Sequence, residues 1–372
     1  MIGELALALE AVAPSRLAAD WDKVGLLVGD PAAPLRRALL CIDLTEETLA
    51  EAVRLKCQAV VAYHPPIFEP LARITTMDPR GALLLSCMER GIALLSPHTA
   101  LDAVQGGVTD WLAECVGRGD RRPIEPAAGA RPGEGLKVVT FLPAYAVDAV
   151  RDALASAGAG VIGAYTRCSF ELRGTGTFEG GAGSRPAVGR RGRFERVEEV
   201  RLEMVCGIRQ RAGVLRALRA AHPYEEPPIE VYRLEPAADA LHGHGRILSL
   251  DRPTTCDRVA ATLRRQLRLP AGAIQLVERR RGRRHERVGV VPGAGFSLMT
   301  KAVDAGCTLF VTGEARHHDQ LAARAAGCDL VLAGHSQTER GYLPRLAEAL
   351  APHVPGVKLL VSRVDAPPFR SA

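Results

Sequence analysis

Five histidines recur at one kind of place in this chain. His64 follows "AVVAY", His98 follows "IALLSP", His317 and His318 follow "TLFVTGEAR", and His335 follows "DLVLAG", so each stands at or just past the end of an apolar, strand-like run. Only ten histidines occur in all, so half of them gather at equivalent positions. Two acids accompany them at i+4, since "HTALD" links His98 to Asp102 and "HSQTE" links His335 to Glu339. On a helix that spacing puts both side chains on one face, roughly 5–6 Å apart. Imidazole and carboxylate together suit Zn, Mn, Fe or Co. A lone strand-end histidine is more often a hydrogen-bonded loop residue, and Ser336 or Thr338 with Glu339 could merely cap and open a helix. Capping leaves His335 without a role, and repetition at four strand ends favours a divalent-metal site.

The strands that deliver these residues must share a crevice, and in open α/β sheets the carboxyl ends of parallel strands line one. The first third alternates as that requires: strands at 36–45, 58–66 and 92–98 are separated by helical runs such as "EETLAEAVRLK" and "GALLLSCMERG". The last third repeats the alternation through "ERVGVVPGAG", "CTLFVTGE" and "CDLVLAGH". The pattern changes between them, where strand, helix, paired strands, helix and strand run from about 136 to 235. The expected fold is α/β, a core of two similar halves with a cleft metal site, residues 1–130 and 236–372, interrupted by an α+β module at 135–235. "RRPIEPAAGARPGEG" (121–135) reads as the loop before that module, and "EGGAGSRPAVGRRGRF" as a mobile loop inside it.

Composition narrows the function classes. Residues AVILMFWYC make up 47% of the chain and charged residues 24%, as in ordinary globular proteins. The net charge of +6 is spread along the sequence and argues only weakly for nucleic acid. Aromatics are 4% of residues, which disfavours a stacking platform for single strands. No apolar run reaches the roughly 20 residues of a membrane span, and the first residues read as a helix rather than a basic secretory signal. A cytoplasmic protein with no membrane partner is expected. The nine cysteines form no C-x-x-C pair and read as small, reduced core residues, which argues against a thiolate zinc site.

Three further motifs carry less. "VVPGAGFSLM" has neither G-x-G-x-x-G spacing nor a following Lys-Ser/Thr and reads as a tight strand-to-helix turn. "ERRRGRRHER" reads as a solvated hairpin, with an anionic partner as the sharper alternative. "AHPYEEPP", with its prolines, reads as a rigid helix-to-strand connection rather than a second metal site.

Seven blocks in order, "DWDKVGLLVGD", "YHPPIF", "SPHTALDAVQGGVTDWLA", "GAGVIGAYTRCSFELRGTGTFEG", "HPYEEPPIEVYRL", "TGEARHHD" and "GHSQTERGYL", resemble the NIF-three-like family of dinuclear metal-centre proteins, the GTP cyclohydrolase I type 2 homologues. The resemblance spans nearly the whole chain. It implies a ring of six copies and a ferredoxin-like inserted module similar to PII and CutA-type domains. It also implies His64, Asp102, His335 and Glu339 as metal ligands, with Glu339 bridging two ions, and leaves His98, His317 and His318 as orienting or proton-transfer groups. The first motif often has two adjacent ligating histidines in the family, whereas Tyr63 precedes His64 here. A neutral phenol is a poor ligand, so one metal position is expected to be weaker.

Two functions fit these readings. One is a metal-dependent hydrolase acting on a nucleotide or another small molecule, because bound divalent ions activate water and polarise the bond under attack. The other is a non-catalytic metal-binding regulatory or scaffold protein whose middle module senses a ligand. No P-loop, dinucleotide fingerprint or set of base-stacking aromatics is apparent in the sequence to choose between them.

Overall fold

The computed structural model describes residues 1–129, 135–235 and 237–367. The chain forms two compact units, one made of residues 1–127 with 239–372 and the other of 128–238. Among the described residues no helix is long and apolar enough to cross a membrane.

The first unit holds two sheets. One runs Gly25–Val28, Ala93–Ser96, Ala59–Ala62, Arg37–Cys41 and Lys358–Val361 in spatial order, parallel except for Gly25–Val28. The other runs Gln275–Val277, Asp329–Leu332, Leu309–Thr312, His285–Val290, Ala237–Thr254 and Gly119–Gly129, with a parallel centre at 285–290, 309–312 and 329–332. Successive residues of these strands face opposite sides. Leu40, Val61 and Leu95 therefore join Val288, Val290, Val311 and Val331 in a core between the sheets, together with Trp111, Leu343 and Leu346 from intervening helices. Leu39, Val60 and Leu94 face away, onto Leu49, Leu84 and Cys87. Helices on both faces explain why the strands read as unbroken apolar runs.

The two halves of the sequence are interlaced in a way the periodicity does not announce. Lys358–Val361, past the last predicted helix, is a strand of the first-half sheet. Residues 119–129, largely read as loop, form an edge strand of the second-half sheet. Pro123 and Pro126 disguise that strand, because proline lacks the N–H a central strand needs but is tolerated at an edge. The rest of the predicted loop, 130–134, lies outside the described residues.

The second unit is a four-stranded antiparallel sheet ordered Phe170–Glu179, Phe194–Cys206, Leu136–Leu142, Ile229–Arg233. Its helices Val147–Ser156 and Arg211–Ala221 cover one face through Val150, Leu154, Val214 and Leu218. The chain thus follows a βαββαβ order. The segment expected to be a mobile loop, 179–194, closes the long hairpin and carries a bridge between Gly180 and Arg191.

Candidate metal centre

Within the first unit the carboxyl ends of strands from both sheets open into a cavity of about 540 Å³. His64 lies just past Ala59–Ala62, His98 past Ala93–Ser96 and His335 past Asp329–Leu332. The cavity brings together His64, His98, Asp102, His335 and Glu339. His317 and His318 do not line it: they open helix His317–Ala325 on the exposed surface, where His318 sits 3.4 Å from Asp319. The residues after Thr312 carry the chain past the strand end before that helix starts, and Glu314 is the side chain of this stretch that bonds to the cluster.

Glu339 is the hub. Its side chain is 3% exposed, with Oε2 3.4 Å from His64 Nε2 and Oε1 3.5 Å from His335 Nε2. The ligand atoms of these three residues lie within 4.8 Å of one another. Both imidazoles are held from behind, His64 Nδ1 by Asp43 Oδ1 at 2.8 Å and His335 Nδ1 by Glu314 Oε1 at 3.0 Å. That arrangement directs each Nε2 at Glu339, as in carboxylate–histidine–metal triads. Glu339 Oε2 is buried with no hydrogen-bond partner, a situation native structures rarely leave uncompensated. Beside it Gly293 leaves an open cradle, since a Cβ there would lie 2.4 Å from Glu339 Oε1 and 3.2 Å from His335 Nε2. An orphaned carboxylate oxygen, two aimed imidazoles and a cradle without a side chain fit a divalent cation.

Asp102 shares the cavity but not the trio, because Tyr63 donates its hydroxyl to Asp102 Oδ1 at 2.5 Å. Burial raises the Asp102 carboxyl to about 7, with the Glu339 charge adding and the Tyr63 hydrogen bond opposing. Burial, with the charges of Asp102 and Glu339, also pushes the Tyr63 phenol well above its ordinary value, so it stays a neutral donor. Tyr63 therefore takes up one of the lone pairs that Asp102 could offer an ion. We expect two ions to bind sequentially, the one beside Asp102 more weakly, and Tyr63→His to tighten that position about tenfold or more by adding a nitrogen ligand. Calorimetric titration reads both constants; equal, tight binding of two ions in the wild type, unchanged in the variant, contradicts the expectation.

Charge coupling gives a second expected result. Burial acts to lower the His64 pKa, but the hydrogen bond to Asp43, the close approach of the Glu339 carboxylate and the charges of both acids override it and raise it to about 10. The metal-free protein thus holds a proton on His64 at neutral pH, where an ion would displace it. Below pH 10, affinity should rise about tenfold per pH unit for each proton displaced. Titrations in buffers of different ionisation enthalpy count the released protons; a pH-independent affinity between pH 7 and 9 is the contrary outcome.

Sequence reading passed over several residues of this site. Asp43 follows the strand Arg37–Cys41 and Glu314 follows Leu309–Thr312, so strand-end acids are as regular as strand-end histidines. Asp22 bonds His98 Nδ1 at 2.9 Å and Thr99 through its other oxygen. The His98 and Thr99 hydrogen bonds outweigh burial and hold Asp22 below the usual carboxylate range. His98 itself sits at φ 29°, a left-handed conformation that marks local strain at the cavity. Trp21 and Phe68, rings 5.5 Å apart, form an aromatic wall that the low aromatic content gave no reason to expect.

Fold and site define an α/β protein with a histidine and carboxylate cluster of metal-ligand type at the carboxyl ends of its strands. The chain belongs to the Duf34/NIF3 (NGG1p interacting factor 3) family, which it matches over residues 1–368. It is 32% identical to the GTP cyclohydrolase 1 type 2 homolog of Halalkalibacterium halodurans over 97% of this chain and 96% of that one. It is also 32% identical to NIF3-like protein 1 of Rattus norvegicus, over 95% of this chain and 88% of the rat protein. Among solved structures it resembles a Bacillus cereus protein related to NIF3, with TM-score 0.72 and 32% identity over 99% of this chain and 98% of that one. A Staphylococcus aureus protein gives TM-score 0.80 at 25% identity, over 100% of this chain and 98% of its own.

Proposed function

We propose that this protein is a divalent-metal-dependent hydrolase of a nucleotide or similarly ring-bearing small molecule. The observation that carries the reading is Glu339, a buried carboxylate whose two oxygens face two differently anchored imidazoles. His64, His335 and Glu339, with Asp102 at the weaker position, would hold one or two of Zn, Mn, Fe or Co. Bound there, divalent ions would lower the pKa of coordinated water to about 7 and polarise the bond under attack. His98, oriented by Asp22 through Nδ1, leaves Nε2 available to move a proton in the cavity. The half-exposed Trp21 and Phe68 offer flat apolar faces to a planar ring. The bacterial relatives, named GTP cyclohydrolase 1 type 2 homologs, point the same way, toward a purine nucleotide such as GTP.

The companion reading is regulatory. It rests on a cavity of about 460 Å³ inside the second unit, lined by Phe141, Phe178, Arg185, Glu199 and Tyr224 among others. We read this unit, with its βαββαβ order, as a PII/CutA-like module, and the whole chain as forming a closed ring of six copies. Light scattering tests the ring. Metal analysis of the purified protein, followed by a nucleotide and phosphoester hydrolysis screen with each of the four metals, tests the main reading. Metal-dependent turnover that Glu339→Gln abolishes is expected. Full metal loading with no turnover across the screen would favour the regulatory reading.

A further inference from the structure

Three ligand-type side chains also meet at the other end of the second sheet. Cys256 opens helix Cys256–Gln266, His285 opens strand His285–Val290 and Asp329 opens strand Asp329–Leu332, and each is 0% exposed. Because strands 285–290, 309–312 and 329–332 run parallel, their amino ends share one edge. The metal centre described above lies past their carboxyl ends, roughly 20 Å away at about 3.3 Å per residue from Asp329 to His335.

His285 Nε2 lies 3.7 Å from Cys256 Sγ and 3.4 Å from Asp329 Oδ2, and the three ligand atoms fall within 4.8 Å of one another. The contact to sulfur is a weak hydrogen bond and the one to Oδ2 is beyond the usual N–H···O range, so a single Nε2 position leaves the carboxylate oxygen unserved. The other nitrogen, Nδ1, is fixed by the Thr308 hydroxyl at 3.0 Å. Asp329 Oδ1 accepts from the Arg279 N–H at 2.9 Å, but Oδ2 is buried without a hydrogen-bond partner. The guanidinium Nη1 of Arg283 is 3.8 Å from Oδ2 and donates instead to the Gly327 carbonyl at 2.7 Å. Glu278 follows Gln275–Val277, a strand antiparallel to 329–332 that ends at the same edge. Its Oε1 is likewise buried and unpartnered, and its charge acts on the Cys256 thiol.

We propose that Cys256, His285 and Asp329, with Glu278 as the fourth ligand, form a structural zinc site. The spacing suits the ion: Zn–S of about 2.3 Å and Zn–N or Zn–O of about 2.0–2.2 Å at tetrahedral angles require S···N near ~3.5 Å and N···O near ~3.4 Å. A thiolate with imidazole and carboxylates selects zinc over hard cations. Binding releases the thiol proton to solvent, and the resulting single negative charge of the site faces Arg283. Thr308 and the Arg279 N–H supply the outer contacts that fix ligand orientation. The ion would tie together a helix and three strands drawn from separate stretches of sequence, which is why C-x-x-C spacing gave no sign of it.

Cobalt distinguishes this site from the cavity centre, whose His64, His335 and Glu339 offer no sulfur. Full-length protein refolded with Co(II) should show a near-ultraviolet thiolate-to-cobalt charge-transfer band. The band should persist in Glu339→Gln and vanish in Cys256→Ser, and zinc content should fall by one ion per chain in Cys256→Ser. Absence of the band in refolded wild type, or equal zinc in wild type and Cys256→Ser, overturns the proposal. Should Cys256→Ser fail to fold, X-ray absorption of the zinc-loaded wild type decides: a sulfur scatterer at about 2.3 Å supports the site, and a shell of nitrogen and oxygen alone refutes it.

Discussion

Gly293→Ala is expected to remove metal binding at the cavity centre while leaving the protein folded. The added Cβ would lie 2.4 Å from Glu339 Oε1 and 3.2 Å from His335 Nε2. An ion needs about 2.0–2.2 Å from those same atoms, so methyl and metal compete for one volume. Disturbing residues merely behind metal ligands weakens binding about 10–100-fold, and a blocked centre should lose at least ~100-fold. Gly293 has φ 59°, so alanine also carries a backbone penalty, of about 1–2 kcal/mol. A domain stable by about 5–15 kcal/mol survives that. Gly356→Ala is the matched control, with φ 82° and open space where the Cβ would be. It should show only the backbone part of that stability loss, and wild-type affinity in chelator competition. Wild-type affinity in Gly293→Ala would mean that the cation does not sit between Glu339 and His335.

The difference between what sequence reveals and what it hides is physical. Parallel strands covered on both faces leave apolar runs such as 59–62 and 329–332 visible, and a histidine directly after such a run is placed by the strand itself. His64 and His335 were legible for that reason. His317 was not placed correctly, because a few residues of irregular chain after Thr312 suffice to turn it away from the cavity. The i+4 spacing of His98 and Asp102 was legible, yet their partners were not. His98 turns to Asp22 and Asp102 to Tyr63, across the fold. Local spacing fixes which helix face a side chain occupies, while the hydrogen bond it finally makes depends on what another element brings there. The strands at 119–129 and 358–361 were hidden for a related reason, since one is an edge strand with prolines and the other gains its ladder only from residues more than 300 positions earlier.

Replacing Arg246 with methionine should strongly destabilise the first unit. Arg246 is 1% exposed in the strand Ala237–Thr254 and grips Asp110 with two bonds, Nε to Oδ1 at 3.0 Å and Nη2 to Oδ2 at 3.1 Å. Its remaining hydrogens go to the carbonyls of Gly243, Gly245, Ala103 and Val104. Methionine fills much of the volume but leaves Asp110, itself 5% exposed, without its buried counter-ion. Breaking such a pair from one side costs about 3–5 kcal/mol, a drop of roughly 6–20 °C for a unit of this size. Removing both charges together, as Arg246→Met with Asp110→Leu, should recover much of the loss, because paired apolar replacements are often neutral. Ala103 and Val104 end the helix that carries His98 and Asp102, so Arg246 also ties that helix to the second sheet. Where Arg246→Met remains folded, the ion beside Asp102 should therefore weaken more than the ion between His335 and Glu339. Equal weakening of both would assign Arg246 a general role in stability and none in positioning Asp102.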